Sequence, residues 1–115
     1  MSLALVIHPD GNIVEVNLNP GADHLALMRE HLDCRSVDCV SLTSRIDMWI
    51  DEESLFTQPV NRPATLLARE FGLTWQDYHG PVLLCGVTAD GDSIDLDRHQ
   101  IVATLTRLSD AVGLT

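Results

Sequence analysis

Two Asp-Gly pairs constrain this chain more than any other feature. Asp10-Gly11 lies between the β-rich runs Leu3–His8 and Ile13–Leu18, and Asp90-Gly91 lies between Pro81–Thr88 and Ser93–Leu96. Asp-Gly between two strand-like runs is a strong hairpin signal, because these residues accept the left-handed backbone that a tight turn needs. In the first hairpin Val14, Val16 and Leu18 alternate with Ile13, Glu15 and Asn17. A third hairpin is read from Val37–Leu42 and Arg45–Asp51, joined by Thr43-Ser44, with Ile46, Met48 and Ile50 alternating with Asp47, Trp49 and Asp51.

Each hairpin is followed by a helical pattern. Asp23 is the predicted N-cap of a helix near 23–33, with Leu25, Met28 and Leu32 on one face. Asn61 is the predicted N-cap of a second helix. Pro63 falls in its first turn, Ala64, Leu67, Ala68 and Phe71 form its apolar face, and Gly72 then Leu73 end it. Asp97 and Gln100 stand at capping-box spacing before a third, whose face is Ile101, Leu105, Leu108 and Val112. The predicted order is ββ-α-ββ-α-ββ-α. The fold class is therefore α+β, an antiparallel or mixed sheet built from three hairpins with helices packed on one side. At 115 residues the chain reads as a single domain, 1–115, without a linker or low-complexity segment.

Charge narrows the function classes. Seventeen acids stand against seven bases, all arginine, for a net charge of −10. The arginines are scattered, so direct nucleic-acid binding is not expected: a surface of this sign repels phosphate backbones. The longest wholly apolar run, Leu3–Ile7, is far short of the roughly 20 residues that span a bilayer, so no membrane partner is expected. The N-terminus lacks the basic start of a signal peptide. The three cysteines, Cys34, Cys39 and Cys85, are an odd number and suggest reduced thiols in a cytoplasmic protein.

The densest polar group is Asp51, Glu52, Glu53, Asn61, Arg62 and Thr65, where a strand ends and the second helix begins. Rigid elements hold loops at such junctions, so Trp49, Asp51, Glu52, Asn61 and Arg62 are the candidate binding residues. A structural reading stands beside this one, in which Asn61 caps its helix and the acids form a solvated turn. No metal site is expected. A calcium loop starting at Asp90 would need Gly and Glu where Asp95 and Ile101 stand. Cys34 and Cys39 are too widely spaced for a usual structural zinc pair, even with His31 nearby. No cofactor and no catalytic residue are expected either, since the chain contains no Walker loop, no Gly-x-Gly-x-x-Gly and no Gly-x-Ser-x-Gly. Trp75 and Tyr78 read either as loop anchors or as a base-stacking or partner contact.

Three strings carry a resemblance: Met48-Trp49-Ile50-Asp51-Glu52-Glu53, then Pro59-Val60-Asn61-Arg62-Pro63-Ala64-Thr65, then Gly80-Pro81-Val82-Leu83-Leu84-Cys85-Gly86. Over about residues 36–97 the chain resembles an uncharacterised family, domain of unknown function number 3846, of actinobacteria and their phages and plasmids. The resemblance implies a mobile-element or accessory origin and supplies no activity.

Three functional expectations follow, in order. The first is a non-enzymatic accessory protein whose acidic surface engages a protein with a basic surface, in one version by imitating DNA. The second is a small-ligand regulatory domain with its site near Asp51–Asn61. The third is an enzyme using the Asp51, Glu52 or Glu53 carboxylates with His79. An exposed edge strand would also suit a homodimer.

Overall fold

The structure is a computed structural model that describes residues 3–17, 24–53, 57–74 and 76–111. Its elements are β1 (Leu3–Ile7), β2 (Ile13–Asn17), α1 (His24–Leu32), β3 (Val37–Ser41), β4 (Ile46–Asp51), α2 (Arg62–Glu70), β5 (Val82–Val87), β6 (Ser93–Ile94) and α3 (Arg98–Ala111). The class is α+β, and all three predicted hairpins form. Their six strands make one antiparallel sheet of order β2-β1-β5-β4-β3, with β6 also paired to β5.

The two Asp-Gly turns are built alike. His8 and Thr88 each donate N–H to the carbonyl four residues on, at 2.8 and 2.9 Å, and accept from Gly11 and Gly91 at 3.0 Å. Both glycines adopt positive φ, +95° and +90°. That is the left-handed third position of a three-residue hairpin loop, which a side chain would strain.

β5 is inserted between the first two hairpins, next to β1 on one side and β4 on the other. Val82 through Gly86 are all buried. A strand covered on both faces reads as a continuous apolar run, which explains why Val82-Leu83-Leu84-Cys85 shows no alternation. Alternation elsewhere sorts the core into two layers. Ala4, Val6, Leu83 and Cys85 pack with Met28 and Leu32 of α1. Leu5, Ile7, Met48, Val82 and Leu84 pack with Ala64, Leu67 and Ala68 of α2 and with Leu108 of α3.

The expectation of helices on one side is therefore corrected: α1 covers one face of the sheet, and α2 with α3 covers the other. A strand buried on both faces cannot be served by a single helical layer.

Helix ends follow the sequence signals. Asp97 and Gln100 form a reciprocal capping box, with N–H to side-chain oxygen distances of 2.8 and 2.9 Å. Gly72, at φ +88°, is the left-handed cap of α2. Gly72 N–H reaches Arg69 O and Leu73 N–H reaches Ala68 O, a Schellman pattern. α1 ends in the same pattern on Asp33, φ +51°, with Asp33 N–H to Glu30 O and Cys34 N–H to Arg29 O. Asp23, the predicted cap of α1, lies outside the described residues.

Two faces are rotated from expectation. Leu25 and Leu105 are exposed, while Thr104 is buried beside Leu108. The periodicity named an apolar stripe, but contact with the sheet chose which edge of it to bury. Among the described residues, no helix is long and apolar enough to cross a membrane.

Candidate functional site

The junction where β4 ends and α2 begins is built on Asn61, which is fully buried. Its Oδ1 accepts from Ala64 N–H at 3.0 Å, capping α2. Its Nδ2 donates to Ile7 O at 2.9 Å and to Gly80 O at 2.8 Å. Its backbone N–H donates to Tyr78 O at 2.7 Å. One turn on, Thr65 Oγ1 accepts from Tyr78 N–H at 2.9 Å. Gly80 N–H reaches Pro59 O at 2.9 Å, and Val60 bridges His79. Segment 59–61 is thus stitched to 78–80, and both are tied to the helix start and to β1. The Pro-Val-Asn-Arg-Pro-Ala-Thr string is a structural clamp, with Asn61 and Thr65 placed by the i, i+4 spacing of the first helical turn.

Beside this clamp lies a cavity of about 400 Å³, lined by Asp38, Ile50, Asp51, Glu52, Gln76, Asp77, Tyr78 and His79. It brings His79 to the same space as Asp51 and Glu52, although Glu52 and His79 are 27 positions apart in the chain. Several of its groups are held. Asp51 Oδ1 accepts from Glu53 N–H at 2.9 Å, Asp77 pairs with Arg69 at 3.0 Å, and His79 Nδ1 lies 3.0 Å from Gln58 O. Glu53 turns to Arg35 at 3.5 Å and does not line the cavity. Tyr78 is a core anchor, 2% exposed, and burial raises its hydroxyl pKa. Trp75 lies outside the described residues.

The five candidate binding residues are distributed over different parts of the fold. Asp51 and Glu52 line the acidic cavity. Asn61 lies in the core, committed to the clamp. Arg62 points from α2 to a second cavity of about 560 Å³, between the β1–β2 turn and α3. Trp49 packs on the α1 face of the sheet. Sequence proximity grouped them; the end of β4 and the start of α2 separated them. Gln76, Asp77 and Asp38 were missed as cavity residues, because the sequence holds no signal for which loop folds against the end of β4.

The thiols face a different environment on the α1 side of the sheet. Cys39 stays exposed on the edge strand, yet partial desolvation first, then the neighbouring Asp47 carboxylate, pushes it up to about 12. Burial pushes Cys85 up to about 11, although the polar groups of Ser93 and Trp49 near the thiol work against the rise. Burial and the Asp51 carboxylate raise Cys34. These groups stay protonated in the folded chain above the ordinary value of 9.0, where the unfolded chain loses its protons. Their contribution to stability is therefore complete below pH 9 and is lost as pH rises through 9 towards 12. Thermal melts taken from neutral to alkaline pH should show Tm falling in that window. Iodoacetamide should label the native thiols at neutral pH much more slowly than the unfolded chain. Equal labelling rates, or the same alkaline loss in a variant carrying Ser at 39 and 85, would contradict this assignment.

Among the described residues, no group of three or more His, Cys, Asp or Glu is placed to hold a metal ion. Neither a curated protein nor a solved structure matches the chain. A family does match, and it covers more of the chain than the three strings in the middle of the sequence: β1, β2, α1 and all but the last two residues of α3 also fall inside it. The chain belongs to the family described as Domain of unknown function (DUF3846), which matches over residues 1–109.

Proposed function

We propose that this is a non-enzymatic accessory protein that acts by binding another protein through its acidic surface. The observation that supports the reading is unneutralised charge. Of the sixteen acids among the described residues, only Glu53 and Asp77 lie within ion-pair distance of an arginine. The acids therefore present a field to solution and do not form an internal salt-bridge network. Such a field steers a basic partner and makes its association salt-sensitive. The partner that such a field fits is a protein with a basic surface, including one that itself binds DNA.

The test is capture on the immobilised chain at low salt, followed by elution in high salt and mass spectrometry. A specific protein should elute with salt. A variant with Asp38→Asn, Asp51→Asn, Glu52→Gln and Asp77→Asn should retain less of it. The reading fails if nothing specific is retained at low salt, or if the retained protein neither responds to salt nor to the variant.

A second reading has its own observation. The cavity shared by Asp51, Glu52 and His79 suits a small cationic ligand, held by carboxylates at a rigid strand end. A cationic compound that raises Tm for the native chain, but not for the same four-fold variant, would favour it.

A further inference from the structure

The sheet has two outer strands, and their free backbone edges are finished differently. In the first hairpin, His8 N–H bonds Asn12 O at 2.8 Å, so 8 and 12 form a hydrogen-bonded pair. Antiparallel pairs alternate, so Val6–Val14 and Ala4–Val16 are hydrogen-bonded too. Ile13, Glu15 and Asn17 then point their N–H and C=O groups away from β1, at the free edge of β2. The same count on the opposite edge starts from Leu42 N–H to Ile46 O at 3.0 Å, and leaves Val37, Cys39 and Ser41 pointing outward from β3. There the central donor is taken: Cys39 N–H bonds the Asp38 carboxylate at 2.9 Å. Asp38 blocks its own edge, a protection against strand addition. Among the described residues β2 has no counterpart. Its pairing with β1 is regular and free of bulges, it contains no proline, and its one charge is Glu15. Its Ile13 and Val14 are 38% and 46% exposed.

We propose that β2 is a self-association edge, pairing antiparallel with β2 of a second copy of this chain and joining the two sheets. The occupant must be a β-strand, because only a strand satisfies a row of alternating donors and acceptors. The side chains make β2 its own complement in one register. A two-fold axis at Glu15 would set two carboxylates directly opposite, which is unfavourable. An axis at Val16 gains little, because Val16 is already partly buried against the α1-side core. An axis at Val14 sets Val14 against Val14 in a close non-hydrogen-bonded pair, and Ile13 against Glu15 in a hydrogen-bonded one. That register makes about four ladder hydrogen bonds, covers both exposed apolar side chains and moves the two carboxylates from directly opposite to diagonal positions. Each copy has a net charge of −10, so the copies repel at long range. Self-association should therefore tighten as salt rises, the opposite of the trend expected for a basic partner.

Sedimentation equilibrium of the full chain, over a wide concentration range and at two salt concentrations, tests this. A monomer–dimer equilibrium is expected, stronger at the higher salt. Val14→Lys should weaken it roughly tenfold or more, by opposing two like charges at the axis. Its Tm should stay near that of the native chain, because position 14 is exposed. A second measurement places the axis: in a Cys39→Ser background, Val14→Cys should form a 14–14 disulfide on mild oxidation, since a non-hydrogen-bonded pair has the spacing a disulfide needs. Glu15→Cys should not. A chain that stays monomeric at both salts would overturn the proposal. So would a dimer indifferent to Val14→Lys, or cross-linking at 15 in preference to 14. Failure of protein capture leaves all these outcomes unchanged, because none of them involves a basic partner.

Discussion

Asn61→Ala should lower stability by about 3 kcal/mol or more, the largest effect expected of any polar substitution in the chain. Losing the cap alone costs about 1 kcal/mol. The same change withdraws a donor from two buried carbonyls, Ile7 O and Gly80 O, and a buried polar group deprived of its partner costs about 1–3 kcal/mol. Against a total of about 5–15 kcal/mol for a domain, this is a large fraction, and Tm should fall by more than about 10 °C. Chemical denaturation of the variant checks the figure. Two further variants separate the roles. Asn61→Ser retains a cap oxygen but cannot span to both carbonyls, so it should fall between the native chain and Ala. Asn61→Asp keeps the cap acceptor but turns an oxygen toward those carbonyls. Its folded state should hold a proton more tightly than its unfolded state, so its stability should improve as pH falls. If all three variants melted near the native temperature, Asn61 would not be the keystone of the junction.

Gly86→Val should be the second severe change, through crowding where Asn61→Ala acts through loss. Gly86 sits in β5 between Ile46 of β4 and Ile94 of β6. A Cβ placed there would lie 2.7 Å from the backbone carbonyl oxygen of Asp95, and 3.1 Å from Cγ1 of Ile94. Backbone cannot rotate aside as a side-chain tip can, so β6 would have to lift from the sheet. Overpacking of this kind costs about 1–3 kcal/mol. The damage should be local at first: β6 leads into Leu96, which is buried, and into the Asp97–Gln100 box that starts α3. Hydrogen exchange should show lost protection in β6 and at the start of α3, with less change in β1–β2. Ala at 86 should show a weaker form of the same pattern. Uniform loss of protection across the sheet would instead mean that β6 and α3 unfold only together with the rest.

The local structure of this chain was written in its sequence, because each signal acts over a few residues. Asp-Gly set the two turns through the backbone freedom of glycine, and strand alternation set which residues of β2 and β4 share a face. Asn61, Asp97 with Gln100, and Gly72 set helix ends through hydrogen bonds that close within four or five residues. Even the junction motif was visible, though only as a concentration of polar residues.

Tertiary structure decided everything that depends on which distant segments meet. β5 inserted between two hairpins that are separate in the chain, and its burial on both faces placed α1 opposite α2 and α3. Periodicity carries no information about that choice, since an amphipathic helix fits either face of a sheet that is apolar on both. Within the junction, Asn61 became a core residue because its amide reaches two carbonyls 54 and 19 residues away in sequence. His79 joined Asp51 and Glu52, while Arg62 turned away to another cavity. Local chemistry determined the pieces; the burial of apolar surface across long sequence separations determined how the pieces, and with them the candidate site, came together.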